Sequence, residues 1–155
     1  LQKLLAERFS LKVHTETREL PAWALVRARR DGTVRPELRP ASGKCVPQSE
    51  RVSREQIRCG VSGAFQGLIA NSASMTHVAA TLSRILGRTV VDRTALRGTF
   101  DFNLRFTDGL TPDARFPSLF TALEEQLGLK LESTRAPADV VVIDSVERPT
   151  EDSTF

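Results

Sequence analysis

The chain has 155 residues, of which 40% are hydrophobic and 26% charged, and its 22 basic and 19 acidic groups give a net charge of +3. This length predicts one compact domain, or two small subdomains, with a hydrophobic core large enough to be stable without disulfides or bound metals. The composition excludes a disordered chain. No apolar run approaches the roughly 20 residues of a membrane-spanning helix.

The N-terminal part of the chain predicts a helix followed by two strands. Leucines at helical spacing indicate a helix over residues 1–9. Alternating and apolar residues predict strands over 11–15 and 22–28, with a break at Pro21. Because the chain begins at Leu1 inside a helical pattern, we expect it to be part of a longer protein, with any signal peptide outside this sequence.

The next segment, residues 30–64, has no sustained hydrophobic period and several prolines and glycines, so it predicts a long irregular loop. Residues 27–58 carry nine basic and four acidic groups. A basic stretch is one feature of nucleic-acid-binding surfaces. However, no aromatic residue lies between Trp23 and Phe65 to stack on bases. We therefore expect a solvated, arginine-rich loop and no nucleic-acid partner.

Regular structure is predicted again after this loop. In chain order the predicted elements are a strand over 67–71, a helix over 75–86, strands over 89–91 and 100–107, a helix over 116–127, and strands over 129–133 and 140–143. Ser74 is suited to cap the first helix and Gly87 to end it. A turn at Ala136-Pro137 is expected between the last two strands.

An internal repeat organises these elements. Residues 5–13 align with 123–131, and residues 21–26 align with 137–142, each copy with the order helix, turn, strand, proline turn, strand. The predicted fold is therefore α+β, with two repeated helix-on-antiparallel-sheet units of which the first is incomplete. The predicted divisions are the second half of a first unit over 1–29, the loop over 30–64, a complete second unit over 65–148, and a flexible tail over 149–155.

The two helices of the second unit are expected to pack on one face of a single sheet. That sheet would contain the strands over 100–107, 129–133 and 140–144. Neither unit is large enough to close a barrel, so at least one strand edge should stay open. A competing expectation is that the 30–64 loop covers that edge.

Several longer motifs carry a family resemblance. They cover residues 4–9, 13–21, 87–94, 98–102, 118–132 and 147–151. Together they resemble a large family of exported proteins of unknown function from soil bacteria, whose domain sometimes follows a membrane metallopeptidase of the beta-lactam-sensor type. The second unit is also similar in architecture to the short N-terminal domain of secretins and TonB-dependent receptors. The resemblance implies export to the periplasm or beyond and an interaction role, and it supplies no catalytic residues.

The only cysteines, Cys45 and Cys59, are predicted to form a disulfide, because the exported context implied by the resemblance is oxidising. Two alternatives are free thiols and a metal site shared with His14 and His77. Thirteen residues between the cysteines is not the short spacing of zinc ligand pairs, so we expect no metal.

A hydrolase of esters or lactones is the alternative to a noncatalytic function. Its nucleophile, base and orienting acid would be Ser74, His77 and Asp92. Against this, Ser74 is explained as a helix cap, His77 falls on the polar face of its helix, and no Gly-x-Ser-x-Gly elbow is present. The histidine is expected to be a solvated surface residue.

The charged connection after the strand predicted over 89–91 is the other candidate site. Asp92, Arg93 and Asp101 could form the rim of a polar ligand site. The structural alternative is that the two aspartates cap turn amides and pair with Arg88 or Arg93. No phosphate loop or other cofactor motif is present, so no cofactor is expected.

The sequence thus predicts a noncatalytic, exported binding module, with a small exported hydrolase as the alternative. Its partner would be an unidentified protein or small molecule, and association with a membrane protein fits the resemblance. We expect a monomer or a weak homodimer. An open strand edge is suited to pairing with an extended partner segment.

Overall fold

The computed structural model describes residues 9–47, 49, 53, 56–64, 67–107 and 116–148. Of the predicted helix over residues 1–9 only Phe9 lies among them, and the predicted tail over 149–155 lies outside them. The chain divides into two compact units, one made of residues 1–20 and 136–155 and the other of residues 21–135.

The described elements confirm a mixed α+β fold. The described part of the chain contains seven strands: β1 (Lys12–Arg27), β2 (Arg39–Pro40), β3 (Gly60–Ala64), β4 (Gly67–Ser74), β5 (Val90–Asp92), β6 (Thr99–Arg105) and β7 (Leu129–Ser145). The helices are α1 (Met75–Leu86) and α2 (Leu119–Ala122), and α2 continues into a π-helical turn (Leu123–Leu127). The repetition of two similar units stays a prediction.

The strands form two sheets, which corrects the expectation of one. One sheet has the order β5-β1-β7 and the other β2-β6-β4-β3. The strand predicted over 100–107 therefore lies in a different sheet from β7. It is also a central strand, because β2 and β4 pair with it on opposite sides. Strand pairing joins residues far apart in the chain, so local periodicity does not reveal which strands share a sheet.

The four-stranded sheet buries one face and exposes the other. Along β6 the even-numbered residues Phe100, Phe102 and Leu104 are buried, whereas Asn103 and Arg105 are exposed. This alternation follows from the two-residue period of a strand. The buried face packs against α1, α2 and the π-helical turn, and these contacts form the core of the larger unit.

Helix α1 begins and ends as its sequence predicts. The Ser74 hydroxyl accepts a hydrogen bond from the His77 backbone N–H at 3.2 Å, and Gly87 ends the helix with φ +61°. These interactions satisfy backbone groups that have no partner within the helix. The buried face includes Met75, Val78 and Leu82, so α1 packs on the sheet through the predicted apolar stripe.

The segment predicted to be irregular contains β2 and β3, is cross-linked within itself by a disulfide and is tied to β6 by hydrogen bonds. Cys45 and Cys59 form a disulfide, which confirms that prediction and leaves neither sulfur as a thiolate ligand. The N–H of Val46 donates to the Ile57 carbonyl at 2.8 Å, and the Ala41 N–H donates to the Thr99 carbonyl at 2.9 Å. Part of the 30–64 loop thus covers one edge of β6, which is the kind of edge protection that the competing expectation described.

Two predicted breaks do not occur. The strands expected over 11–15 and 22–28 are one strand, β1, which runs through Pro21, and the strands expected over 129–133 and 140–143 are one strand, β7, which runs through Pro137. Proline lacks an N–H donor but is tolerated where that side of its strand is unpaired, and the pairing of β5 with β1 covers residues 23–25, beyond Pro21. Pairing with a neighbouring strand therefore overrides the local turn signal of each proline.

The smaller unit is a ribbon of two strand segments, residues 12–20 and 136–145, hereafter the ribbon. Thr17 donates to Asp139 at 2.7 Å, and His14 contacts Asp144 at 2.8 Å, so the chain directions are antiparallel. Side chains two residues apart share a face, which places Val13, Thr17 and Ile143 together. Ile143 is 61% exposed, so this face is open within the described residues.

Candidate functional site

A groove of about 540 Å³ lies between α1 and the edge strand β5. Its helix side is made of small residues at positions that share one face of α1, and its other side is β5. The lining residues are Thr76, Ala79, Ala80, Ser83, Val90, Val91 and Asp92. Small side chains on the helix keep the groove open along the strand.

The strand edge that faces this groove is unpaired by any other strand of the described chain. On its inner side β5 pairs in parallel with β1, where the Trp23 N–H donates to the Thr89 carbonyl at 2.8 Å and the Arg93 N–H donates to the Leu25 carbonyl at 2.9 Å. Backbone groups alternate in direction along a strand. The backbone groups of Val90 and Asp92 therefore point away from β1.

Only one of these outward groups has a partner among the described residues. The Val90 N–H donates to the Ser83 hydroxyl at 2.8 Å, and this hydroxyl donates in turn to the Ala79 carbonyl at 2.9 Å. The Val90 carbonyl and the Asp92 N–H make no hydrogen bond with the described part of the chain. They are available to an additional strand.

Of the described residues that line the groove, Asp92 is the only ionisable one. Its Oδ1 atom accepts hydrogen bonds from the Thr94 N–H at 2.9 Å and the Thr94 hydroxyl at 2.8 Å. This is the turn-capping arrangement that the structural alternative expected. Because Oδ2 takes part in neither bond, the carboxylate keeps an acceptor for a ligand.

The three residues of the hydrolase alternative are not joined by the side-chain hydrogen bonds that a catalytic relay needs, within the described residues. The Ser74 hydroxyl is engaged with the His77 backbone rather than with its ring. Within the described residues no hydrogen bond joins the His77 ring to Ser74 or to Asp92. His77 is exposed and does not line the groove, so Ser74, His77 and Asp92 form no preformed catalytic relay in the described structure.

The three residues predicted for a polar ligand site lie in two places. Arg93 follows β5 and its guanidinium reaches the Thr134 hydroxyl at 3.5 Å. Asp101 is on β6 in the other sheet, where its carboxylate accepts bonds from Ser42 and Ser72. No ion pair or hydrogen bond of the described residues joins Asp101 to Asp92 or Arg93, and the ligand role of all three stays a prediction.

The Asp101 carboxylate holds two backbone segments together. The Ser42 N–H donates to Oδ2 at 2.8 Å, the Ser42 hydroxyl donates to the same oxygen at 2.9 Å, and the Ser72 N–H donates to Oδ1 at 2.7 Å. The backbone N–H groups of Ser42 and then Ser72 lower the pKa of Asp101 below its ordinary value of 3.8 because they stabilise the ionised form. Ser72 has φ +52° at a register shift between β4 and β6.

Sequence reasoning missed the groove as a site. Ala79, Ala80 and Ser83 were not singled out, because small residues in a helix are ordinary. The available signal was their common face on a helix that is followed directly by a short strand. That signal becomes informative only when the strand is known to lie at the edge of its sheet.

The fold and the groove define a small α+β domain with an open strand edge beside a helix. The chain belongs to the family described as Protein of unknown function (DUF3738), whose model matches residues 1–146. This confirms the expected membership in a family of unknown function, while the link to metallopeptidases and the likeness to secretin domains stay predictions. No curated protein and no solved structure matches the chain.

Proposed function

We propose that this domain is a noncatalytic binding module that takes an extended polypeptide segment into the groove between α1 and β5. The segment adds a strand to the open edge of β5. The observation that carries the proposal is the pair of outward backbone groups, the Val90 carbonyl and the Asp92 N–H, beside a groove of about 540 Å³. Backbone hydrogen bonds supply affinity in such complexes, and side-chain pockets supply specificity.

The groove favours a particular partner chemistry. Ala79, Ala80 and Val91 leave room for small apolar side chains of the bound strand. The carboxylate of Asp92 is the only charge among the described lining residues, so a lysine or arginine at one position of the partner is complementary to it. The partner is thus a short extended segment with a basic residue beside small apolar residues.

Export forms part of the proposal. The disulfide between Cys45 and Cys59 supports an oxidising compartment, which agrees with a periplasmic or extracellular location. In the described part of the chain, no helix has the length and apolar character needed to cross a membrane. The domain would then meet its partner outside the cytoplasm, either as a free protein or as part of a membrane protein.

Selection from a displayed random-peptide library tests the binding mode. Ala80→Arg fills the groove from an exposed position of α1. We expect it to lower the affinity for the selected peptides by about tenfold or more. His77→Arg introduces the same side chain at an exposed position of α1 that does not line the groove, and should bind as the wild type does. In the complex, hydrogen exchange of the Asp92 amide should slow. Equal binding by both variants, or an Asp92 amide that stays fast, contradicts the proposal.

A substrate panel separates this function from the hydrolase alternative. We expect no turnover of ester or lactone substrates by the wild type. Hydrolysis that falls by several orders of magnitude in His77→Ala, while the variant stays folded, would instead assign catalysis to Ser74, His77 and Asp92.

A further inference from the structure

A second concavity, of about 320 Å³, lies on the outward face of the four-stranded sheet, where β3, β4 and β6 run side by side. Its lining residues are Gly63, Gly67, Ile69, Asn103, Arg105 and Phe116. The strand register brings most of them together, because Gly67 is opposite Arg105 and Ile69 is opposite Asn103. None of these residues lines the groove between α1 and β5.

The depth of this concavity is built into the backbone packing. A Cβ atom at Gly67 would lie 2.7 Å from the Leu104 carbonyl oxygen, and one at Gly63 would collide with the Gly67 carbonyl. Gly63 also has φ +119°, a conformation that favours glycine. Neither position accepts a side chain without a shift of the backbone, so the floor between the strands stays bare.

Arg105 is held in place at one wall of the concavity. Its backbone N–H donates to the Gln126 Oε1 atom at 3.0 Å, and its carbonyl accepts from the Gln126 Nε2 atom at 2.7 Å. Its guanidinium lies over the Phe116 ring, 5.7 Å from the ring centroid. Within the described part of the chain, the guanidinium makes no hydrogen bond or ion pair, and the ring contact orients its donors.

The lining matches one class of ligand. Among the described residues that line it, Arg105 is the only ionisable one and none is acidic. A single guanidinium pairs best with a single carboxylate, which it can bind through two parallel hydrogen bonds. The Asn103 amide offers a further donor. Ile69, which is 46% exposed, and Phe116 form an apolar wall.

We propose that this concavity binds a carboxylate that carries a small apolar group, with the carboxylate on Arg105 and the apolar group against Ile69 and Phe116. Asn103 also lines an adjoining hollow with Pro36, Glu37 and Arg39. Glu37 and Arg39 bring one charge of each sign to that hollow, so it suits a polar, neutral extension of the ligand. The carboxylate can belong to a free small acid or to the C-terminus of a short peptide.

Titration of the ¹⁵N-labelled protein followed by NMR tests this site. N-acetyl-alanine should shift the amides of Gly67, Ile69 and Asn103 in a saturable way, and N-acetyl-alaninamide, which lacks the charge, should not. A peptide acid of three alanines should bind more tightly than N-acetyl-alanine if the natural ligand is a chain terminus, and no more tightly if it is a free small acid. Equal shifts with the acid and the amide would overturn the proposal.

Two arginine variants give a matched comparison. Arg105→Gln should weaken binding of N-acetyl-alanine by about tenfold or more. Arg88→Gln removes an arginine that makes the same kind of contact, 5.6 Å from the centroid of the Trp23 ring. Because Arg88 does not line this concavity, the variant should bind N-acetyl-alanine as the wild type does. Binding by Arg105→Gln equal to that of Arg88→Gln would show that the guanidinium is not the anion site.

A third variant keeps the test decisive if Arg105→Gln fails to fold. Asn103→Asp changes an exposed lining residue on the same face of β6 as Arg105 and so brings a negative charge near the guanidinium. It should abolish the shifts with N-acetyl-alanine, and unchanged shifts would sink the proposal. Because none of these variants touches the groove between α1 and β5, peptide binding there should be retained.

Discussion

The core beneath the four-stranded sheet and the segment from Ala41 to Cys59 belong to the same unit but are held by different forces. In the core, Leu68, Leu82 and Leu104 have no exposed surface. In the segment, no described residue is buried, and the links are the disulfide, a few backbone hydrogen bonds and the carboxylate of Asp101.

This difference shows how a chain can attach a segment that has little apolar surface to bury. Burial of apolar area stabilises the core without dependence on pH or redox state. A disulfide stabilises the fold mainly by lowering the conformational entropy of the unfolded chain. A carboxylate that accepts backbone hydrogen bonds stabilises the fold only while it is ionised. The core and the segment should therefore respond to different perturbations.

The largest effect is expected in the core. Leu104→Ala removes a fully buried side chain from β6 and should lower the free energy of unfolding by about 3–4 kcal/mol. Ile57→Ala truncates a side chain of the segment that is 56% exposed. This variant should change the free energy of unfolding by less than about 0.5 kcal/mol. Urea unfolding followed by circular dichroism measures both, and similar losses would show that the segment also depends on burial.

Loss of the disulfide should have the next largest effect. Replacement of both Cys45 and Cys59 by alanine opens a loop that the disulfide closes over a sequence separation of 14, and should cost about 3 kcal/mol in the chain-entropy model. A reductant should destabilise the wild type and leave the double variant unchanged. If the wild type keeps its full stability under reduction, the segment is held by its other links alone.

Asp101→Asn should cost about 2 kcal/mol at neutral pH, because it replaces a charged acceptor of three hydrogen bonds. Ser42→Ala removes only the hydroxyl bond and should cost less. The pKa of Asp101 is lowered in the folded state, so its contribution is present above the ordinary value of 3.8 and is lost as the pH falls through the lower folded pKa. The difference between the wild type and Asp101→Asn should shrink over that range, and a difference independent of pH would contradict this role.

The helix was the most predictable part of the fold. The N-terminus of α1 follows from Ser74 and its C-terminus from Gly87, because capping depends on residues within one turn of the helix end. The alternation along β6 was equally visible, since burial on one face of a sheet imposes a period of two residues. Each signal is local in the sequence.

The misjudged features depend on pairing between distant segments. Pro21 and Pro137 looked like turns, yet each lies within a continuous strand. Likewise, β6 and β7 show similar apolar patterns but belong to different sheets. For the candidate sites, the sequence indicated Asp92, but the groove depends on where β5 lies, and the concavity at Arg105 depends on the register of β4 and β6.

The sequence by itself determined the α+β class, both ends of helix α1 and the pairing of the two cysteines expected in an oxidising compartment. The first two follow from periodicity and side-chain chemistry, and the cysteine pairing follows from the oxidising compartment that the family resemblance implies. The tertiary structure alone decided which strand edge is open and which side chains share a concavity. The physical reason is that strand order and register are set by backbone hydrogen bonds between segments that are distant in the chain. The sequence of one segment alone does not reveal which segment it pairs with.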